Sequence, residues 1–386
     1  LLTAALGGMV MASSADLMTL YVGLELLSIS SYILVGTRKH TLKSTEAAFK
    51  YVVLGGMSSA FILYGMSFAY GVTGTTNLFE LQSGLTDAYN SGYGFFVLLS
   101  LMLMLLGFGF KISSAPFHMW APDVYEGAPT PVTTFLAVVS KAAAFALLIR
   151  VVLVGYSGLL NTMDDVWMER IGLFLVILAA LSMIIGNTAA LRQRNVKRMM
   201  AYSSVAQAGY ILVPFAILGT RLFEAVSFYL LAYVFMTVGG FAVIMFVNRE
   251  AGTEDIKSFA GLFKRAPWTA FAMLVFVLSL AGIPVTGGFI GKFYIFFNAI
   301  LGQSFWLAAI MVITSVISYF YYFEIVRQMF FRPAPSPEKL RVPAGVAAVV
   351  TIGVIGTIVL GVMPQPVFDY LGQLQLSEIL MPAGNP

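Results

Sequence analysis

An all-α, polytopic membrane fold of about eleven transmembrane helices is predicted by three features of this 386-residue chain: its composition, its long apolar runs and the placement of its charges. Hydrophobic residues make up 59% and charged residues 10%, where a soluble domain carries roughly 25% charged residues. The charges sit at the ends of the apolar runs rather than in a patch, so the formal net charge of +4 is no sign of nucleic-acid binding. There is no cysteine, which removes iron–sulfur clusters, thiolate zinc sites, disulfides and cysteine nucleophiles. Two histidines, His40 and His118, are the only imidazoles. His40 lies in a polar loop, which argues against haem ligation, so no redox centre is expected in this chain.

Each span needs about 20 residues to cross the ~30 Å apolar core. The chain opens at Leu1 inside an apolar run with no charged leader before it, so 1–13 reads as a partial span whose natural start lies upstream. The run 16–36 follows, interrupted by Glu25, and then 45–71, with Lys50 one or two turns in. Residues 93–120 hold Lys111 and Pro116, and 130–155 holds Lys141. The runs 168–190, 197–219 and 222–248 lead to 267–300, which contains Pro284, Gly287, Gly288 and Lys292; 304–331 and 343–363 complete the set. The two proline-bearing runs are too long for one straight helix and are expected to break within the membrane.

The connecting loops alternate in charge. One set holds Arg38, Lys39, Lys43, Arg192, Arg194, Lys197, Arg198, Arg249, Lys257, Lys264, Arg265, Arg332, Lys339 and Arg341. The opposite set holds at most Arg150, Arg170 and Arg221, with acids such as Asp87, Asp164 and Asp165. Such asymmetry makes the first set cytoplasmic and places the tail after Pro364 outside. A shift of about 178 residues lays five spans on the next five, and the broken span on the broken span. Ser31-Tyr32-Ile33-Leu34 then falls on Gly209-Tyr210-Ile211-Leu212. Five is odd, so the second copy is inverted. The expected units are a first repeat at 1–155, a second at 168–331, and a C-terminal helix and tail at 343–386.

Ionisable residues inside spans are functional candidates, because a lysine at the bilayer centre costs about 2.5–3.5 kcal/mol. Lys141 lies too deep to snorkel. Lys111 precedes the first break and Lys292 follows the second, where unwound backbone admits water. Glu25 is mid-span and reads as a lysine partner. Lys50 is nearer the cytoplasmic end, where snorkelling competes with a relay role. Glu324 beside Arg327 reads as an ordinary end pair. His118, just past the first break, is either a hydrogen-bonding residue or a proton carrier. The segment Pro122–Pro131 reads as a rigid turn whose Asp123 and Glu126 cap it or draw protons to an entrance. No nucleophile–base pair, phosphate loop or metal cluster is present, and Gly107 with Gly109 completes no dinucleotide fingerprint. Glu25, Lys50, Lys111, His118, Lys141 and Lys292 together describe a proton relay. A lysine taken out of water holds its proton less tightly, and a carboxylate at ~4 Å restores about 4 kcal/mol at an effective dielectric near 20. Movement of Glu25 relative to Lys111 then switches that amine between holding and releasing a proton.

At these residues the chain resembles a known family. FKISSAPFHMWAPDVYEGAPTPVTTFLAVVSK from Phe110, LYVGLELLSISSYIL around Glu25, KRMMAYSSVAQAGYIL from Lys197 and AGIPVTGGFIGKFYIF around Lys292 look like the proton-conducting membrane subunits of complex I and their antiporter relatives. Lysine at both 141 and 292, with GAPTPVTTFLAVVSKAAAF, is similar to the N branch rather than the L or M branch. The absence of a long amphipathic lateral helix after residue 363 also argues against L. The resemblance implies that Glu25 and Lys111 form a modulating pair, Lys141 is the central lysine, Lys292 serves the exit half-channel, and Lys50 is an additional lysine of the adjacent helix. It implies a multi-pass plasma-membrane subunit, bacterial or organellar, among other membrane subunits. NADH, FMN, iron–sulfur clusters and quinone would reside in partner subunits and none in this chain. The family has fourteen helices, so the first three and part of the fourth are expected upstream of Leu1. Two other readings remain: a multisubunit cation/proton antiporter, which the same lysine row would serve, and a silent membrane spacer.

Overall fold

The computed structural model describes residues 1–160, 165–218, 221–336 and 338–374, with side chains left aside at 160 and 165–170. Asp164 and the tail beyond residue 374 lie outside the described residues, as do the side chains of Asp165 and Arg170. The described chain is helical throughout. In order, the helices are α1 (Leu2–Ser13), α2 (Leu17–Val35), α3 (Leu42–Thr73), α4 (Leu78–Ala88), α5 (Gly94–Lys111) and α6 (Trp120–Gly127). A wound span α7 (Thr130–Gly155) follows, then α8 (Asp165–Ala190), α9 (Val196–Ile217), α10 (Leu222–Ala251), α11 (Pro267–Ala281) and α12 (Gly287–Leu301). The chain closes with α13 (Phe305–Phe331), α14 (Ala344–Val362) and α15 (Gln365–Gln373).

Nine helices among the described residues are long and apolar enough to cross a membrane. Shorter apolar helices are α1, α11 and α12. Joining α11 to α12 as one broken crossing, and counting α1 as partial, reproduces the eleven spans read from hydropathy. Helix α9 is the hub: 89% of its apolar window is buried, against 28% for α14 and 33% for α13, which face outward. Helices α4 and α15 were not anticipated. Both are short and amphipathic, so neither produces a long apolar run.

The first break differs from the sequence expectation in its extent. Pro122 does not end the helix. It sits in the first turn of α6, where its missing N–H costs nothing, and the helix continues to Gly127. The rigid turn expected over Pro122–Pro131 therefore shrinks to Ala128 and Pro129. The break itself runs through Ser113 (φ 63°) to the single helical turn Phe117–Met119. The second break contains Gly282 (φ 85°) and Val285 (φ 76°). Left-handed backbone at a serine and at a β-branched valine costs about 1–3 kcal/mol each. Both outliers fall where a membrane helix is interrupted.

Two short backbone bridges tie the spans at opposite ends. Asp16 pairs with Asn77, and Asn195 with Asp255. In the first, Leu17 N donates to Thr76 O and Leu78 N to Ala15 O; in the second, Val196 N donates to Glu254 O and Ile256 N to Arg194 O. Asn195 stands 179 residues after Asp16, and Asp255 stands 178 after Asn77. All four residues cap the helix they begin. Burial pushes the Asp16 carboxyl up, but hydrogen bonds from Thr76 and Thr19 outweigh it and hold the group below the ordinary carboxylate range.

Candidate functional site

Three lysines are buried along the protein's middle, and each is held by a different kind of partner. Lys111 ends α5, the turn where the helix dipole favours a positive charge. Its Nζ donates to Ser28 Oγ at 2.7 Å. Ser28 lies one turn beyond Glu25 on α2, and Lys111 forms no ion pair with Glu25. Glu25 Oε1 is sealed from solvent and has no hydrogen-bond partner. The ~4 Å pairing expected from sequence is thus displaced by one helical turn onto a neutral hydroxyl.

Lys141 is 1% exposed and follows directly on a π-type turn, Leu136–Ser140. Such turns widen the helix by one residue and redirect the side chains that follow. Lys141 Nζ donates to Ser204 O at 2.6 Å and to Ser204 Oγ. The same Oγ meets the Tyr125 and Tyr233 hydroxyls, each at 3.2 Å. The Lys141 ammonium lies 5.7 Å from the Tyr233 ring centroid. No carboxylate pairs with it among the described residues.

Lys292 reaches back across the second break. Its Nζ donates to Leu280 O at 2.8 Å and Ala281 O at 3.3 Å, the last carbonyls of α11, and sits 4.4 Å above the Tyr210 ring. A cation here satisfies orphan carbonyls and faces the negative end of the helix. Gly282 makes the approach possible: a Cβ there would meet Lys292 Cδ at 3.0 Å, and its φ is left-handed. At the first break the corresponding carbonyl, Phe110 O, is served instead by Trp120 Nε1 at 2.9 Å. A cavity of about 270 Å³ opens beside Lys292, walled by Phe289, Phe296, Val312 and Val316.

From Ser203, the chain neighbour of Ser204, a buried polar file that charge-based reading missed leads to the carbonyl that holds Lys292. Ser203 bonds the Tyr322 hydroxyl, Gln207 Nε2 donates to that hydroxyl at 3.4 Å, and Tyr229 donates to Gln207 Oε1. Gln207 Nε2 also donates at 3.1 Å to Leu280 O, the carbonyl that Lys292 shares. The residues are neutral, so they raise no insertion penalty large enough to mark them in a sequence. Their one signal is the polar run Ser203-Ser204 with Gln207 inside an otherwise apolar span.

The remaining expected site residues lie elsewhere. Lys50 pairs with Glu46 at 2.6 Å and Asp123 at 2.7 Å, its side chain 39% exposed on the basic face. Arg198 bridges Asp123 and Glu126, and Lys43 closes the cluster on Glu126. His118 sits half-buried in the first break, its Nδ1 buried without a hydrogen-bond partner and its ring edge-on to Tyr202. Glu324 pairs with Arg327 at 2.9 Å, as the sequence expects. Lys197 departs most from expectation. Grouped with the loop lysines, it is fully buried: its Nζ binds Glu126 O, Ala128 O and Glu254 Oε1.

The chain matches known proteins in sequence and in fold. The family described as NADH:quinone oxidoreductase/Mrp antiporter, TM, matches residues 14–318. The chain belongs to this family. Within it, NADH-quinone oxidoreductase subunit N of Brevibacillus brevis is 55% identical over 376 residues, covering 96% of this chain and 73% of the relative. Subunit N of Anoxybacillus flavithermus is 52% identical, covering 97% of this chain and 75% of the relative. A chain of Thermus thermophilus respiratory complex I with bound aureothin superposes with a TM-score of 0.80 at 37% identity, covering 96% of this chain and 78% of that one. A chain of the Mrp complex from Dietzia shares the fold, with a TM-score of 0.86 at 22% identity. Membership in the oxidoreductase/antiporter family accounts for the polytopic all-helical architecture.

Proposed function

We propose that this chain is the N-type proton-translocating membrane subunit of an NADH:quinone oxidoreductase, carrying no redox centre and working beside other membrane subunits. The observation that carries the reading is the pair of buried lysines: Lys141 on Ser204, and Lys292 at the end of the Ser203–Tyr322–Gln207–Leu280 file, in a chain 55% identical to a subunit N. NADH, flavin, iron–sulfur and quinone chemistry belongs to partner subunits. In this reading residues 1–155 and 168–331 are inverted repeats, supported by the matched bridges at Asp16–Asn77 and Asn195–Asp255 and by one broken span in each.

The relay comprises Glu25, Lys50, Lys111, His118, Lys141 and Lys292. Lys50, in the ion-pair cluster with Asp123, stands at the entrance on the basic face, and His118 lies at the first break beside the route. The seating of Lys111 on Ser28 represents the arm of the switch in which Glu25 is disengaged. Approach of Glu25 draws the proton onto Lys111, and its withdrawal releases that proton toward Lys141. From Lys141 the proton passes to Ser204 and then through water, which bridges Ser204 to Ser203 and the Tyr322 hydroxyl to the Lys292 amine. Gln207 has no proton to relay and serves to orient Tyr229 and Tyr322.

The complex in proteoliposomes tests the assignment. Proton uptake that follows NADH oxidation and stops with quinone-site inhibitors supports it. Sodium-dependent proton exchange in the absence of any redox partner would instead establish the antiporter. Within the subunit, Gln207→Leu strands the Tyr229 hydroxyl, while Tyr322 keeps Ser203, and reduces pumping about tenfold, in line with the 1–3 kcal/mol cost of an unsatisfied buried group. Dye-monitored pumping at matched amounts of assembled complex measures the effect. Unchanged pumping in that variant removes the file from the route.

A further inference from the structure

On the basic face, away from the relay, the loops after α8, α10 and α13 enclose a cavity of about 640 Å³. Arg194, Lys257, Arg327 and Arg332 line it, with Asp255 and Glu324 as its acids. Both acids are engaged: Asp255 caps its own helical turn, and Glu324 is held by Arg327 and Gln328. Arg194, Lys257 and Arg332 form no ion pair among the described residues. The charge asymmetry of membrane proteins explains why these cations lie on this face. It does not explain why three unpaired ones converge on one cavity at the ends of the helices.

Below the cavity, α13 presents an apolar stripe toward the lipid. Val312, Val316, Phe320 and Phe323 recur at helical spacing and are exposed, Phe320 by 70%, and the stripe ends upward at the cavity residue Arg327. From Arg327 to Val316 is eleven residues, or about 17 Å along a helix. That is close to the ~15 Å depth of one leaflet's hydrocarbon. Val312 and Val316 also wall the cavity beside Lys292.

We infer that this cavity binds the phosphate headgroup of an anionic phospholipid whose acyl chain lies along α13 and covers the side opening of the Lys292 cavity. The headgroup meets three guanidinium or ammonium groups that have no other partner, each contributing on the order of 1 kcal/mol near a membrane surface. The tail buries a stripe that this chain leaves largely exposed. The binding site stands on the membrane geometry alone; only its role as a seal beside Lys292 rests on the relay proposed above.

The test uses the intact complex, delipidated in detergent, and a phosphatidylglycerol carrying a photoreactive diazirine near the end of one acyl chain. Labelling is expected on α13 peptides around Val316, and about tenfold weaker with the matching phosphatidylcholine. The triple variant Arg194→Gln/Lys257→Gln/Arg332→Gln is expected to lose about a hundredfold in retention of the anionic probe. Its substitutions are exposed, and the yield of assembled complex checks that it folds. Equal labelling by both lipids, or undiminished retention by the triple variant, overturns the site. Protection of Lys257 from amine modification by inorganic phosphate, with no labelling by phosphatidylglycerol, assigns the cavity to a free anion and also overturns it. Cross-linking of this loop to an acidic segment of a neighbouring subunit in place of lipid does the same. Because binding is read without pumping, loss of the relay proposal leaves this result interpretable.

Discussion

The complex carrying Lys141→Met assembles in normal amount and pumps about a hundredfold less, the lower range of what a positioned proton-transfer group contributes. Two features separate this outcome from simple damage. Methionine nearly matches lysine in length and suits a buried site, and Lys141 has no carboxylate partner, so its removal strands no buried charge. Ser204 Oγ keeps the Tyr125 and Tyr233 hydroxyls when the amine is gone. Proteoliposomes with an internal pH dye, normalised to assembled complex, measure the effect. Full pumping by the variant would falsify the relay, since the proposed route reaches Lys292 through Lys141.

Lys197→Met has the opposite profile: the subunit fails to accumulate in the complex. Lys197 is as buried as Lys141, but it holds the end of α6 to the start of α9 and neutralises Glu254. Breaking a buried pair by removing one partner costs about 3–5 kcal/mol, a large share of a domain's ~5–15 kcal/mol. Glu254 is partly exposed, which places the cost toward the lower end of that range. Immunodetection of the subunit in membranes, with thermal denaturation of whatever assembles, reads the loss. Adding Glu254→Gln removes the stranded charge and recovers part of the deficit, as a double-mutant cycle quantifies. Wild-type assembly of Lys197→Met with impaired pumping would move this residue into the relay.

The contrast between these two lysines shows where sequence reading stopped. Both occur in helical runs with apolar neighbours. Lys141 was recognised because its depth from either end forbids snorkelling. Lys197 sits at the first turn of its helix, where hydropathy assigns it to a loop. What buries it is the end of α6, roughly seventy residues earlier in the chain, and no local pattern announces that meeting. The same limit applies to Lys50, whose carboxylate partners lie at positions 46 and 123. The missed residues Ser203, Gln207, Tyr229 and Tyr322 are neutral and acquire meaning only when three helices bring them together.

Taken alone, the sequence determined the approximate number of spans, the two broken helices and the deep lysines, and it predicted an orientation from the loop charges. Each of these follows from what hydrocarbon does to a single residue or a short run: it penalises charge and unpaired backbone wherever they occur. Only the tertiary structure decided what each buried amine holds, that Lys111 rests on Ser28, that Lys197 is a clamp, and that neutral side chains run from Ser203 to the carbonyl holding Lys292. Those are properties of groups converging from distant helices, and hydrogen bonding depends on distances of a few ångströms that helix packing sets.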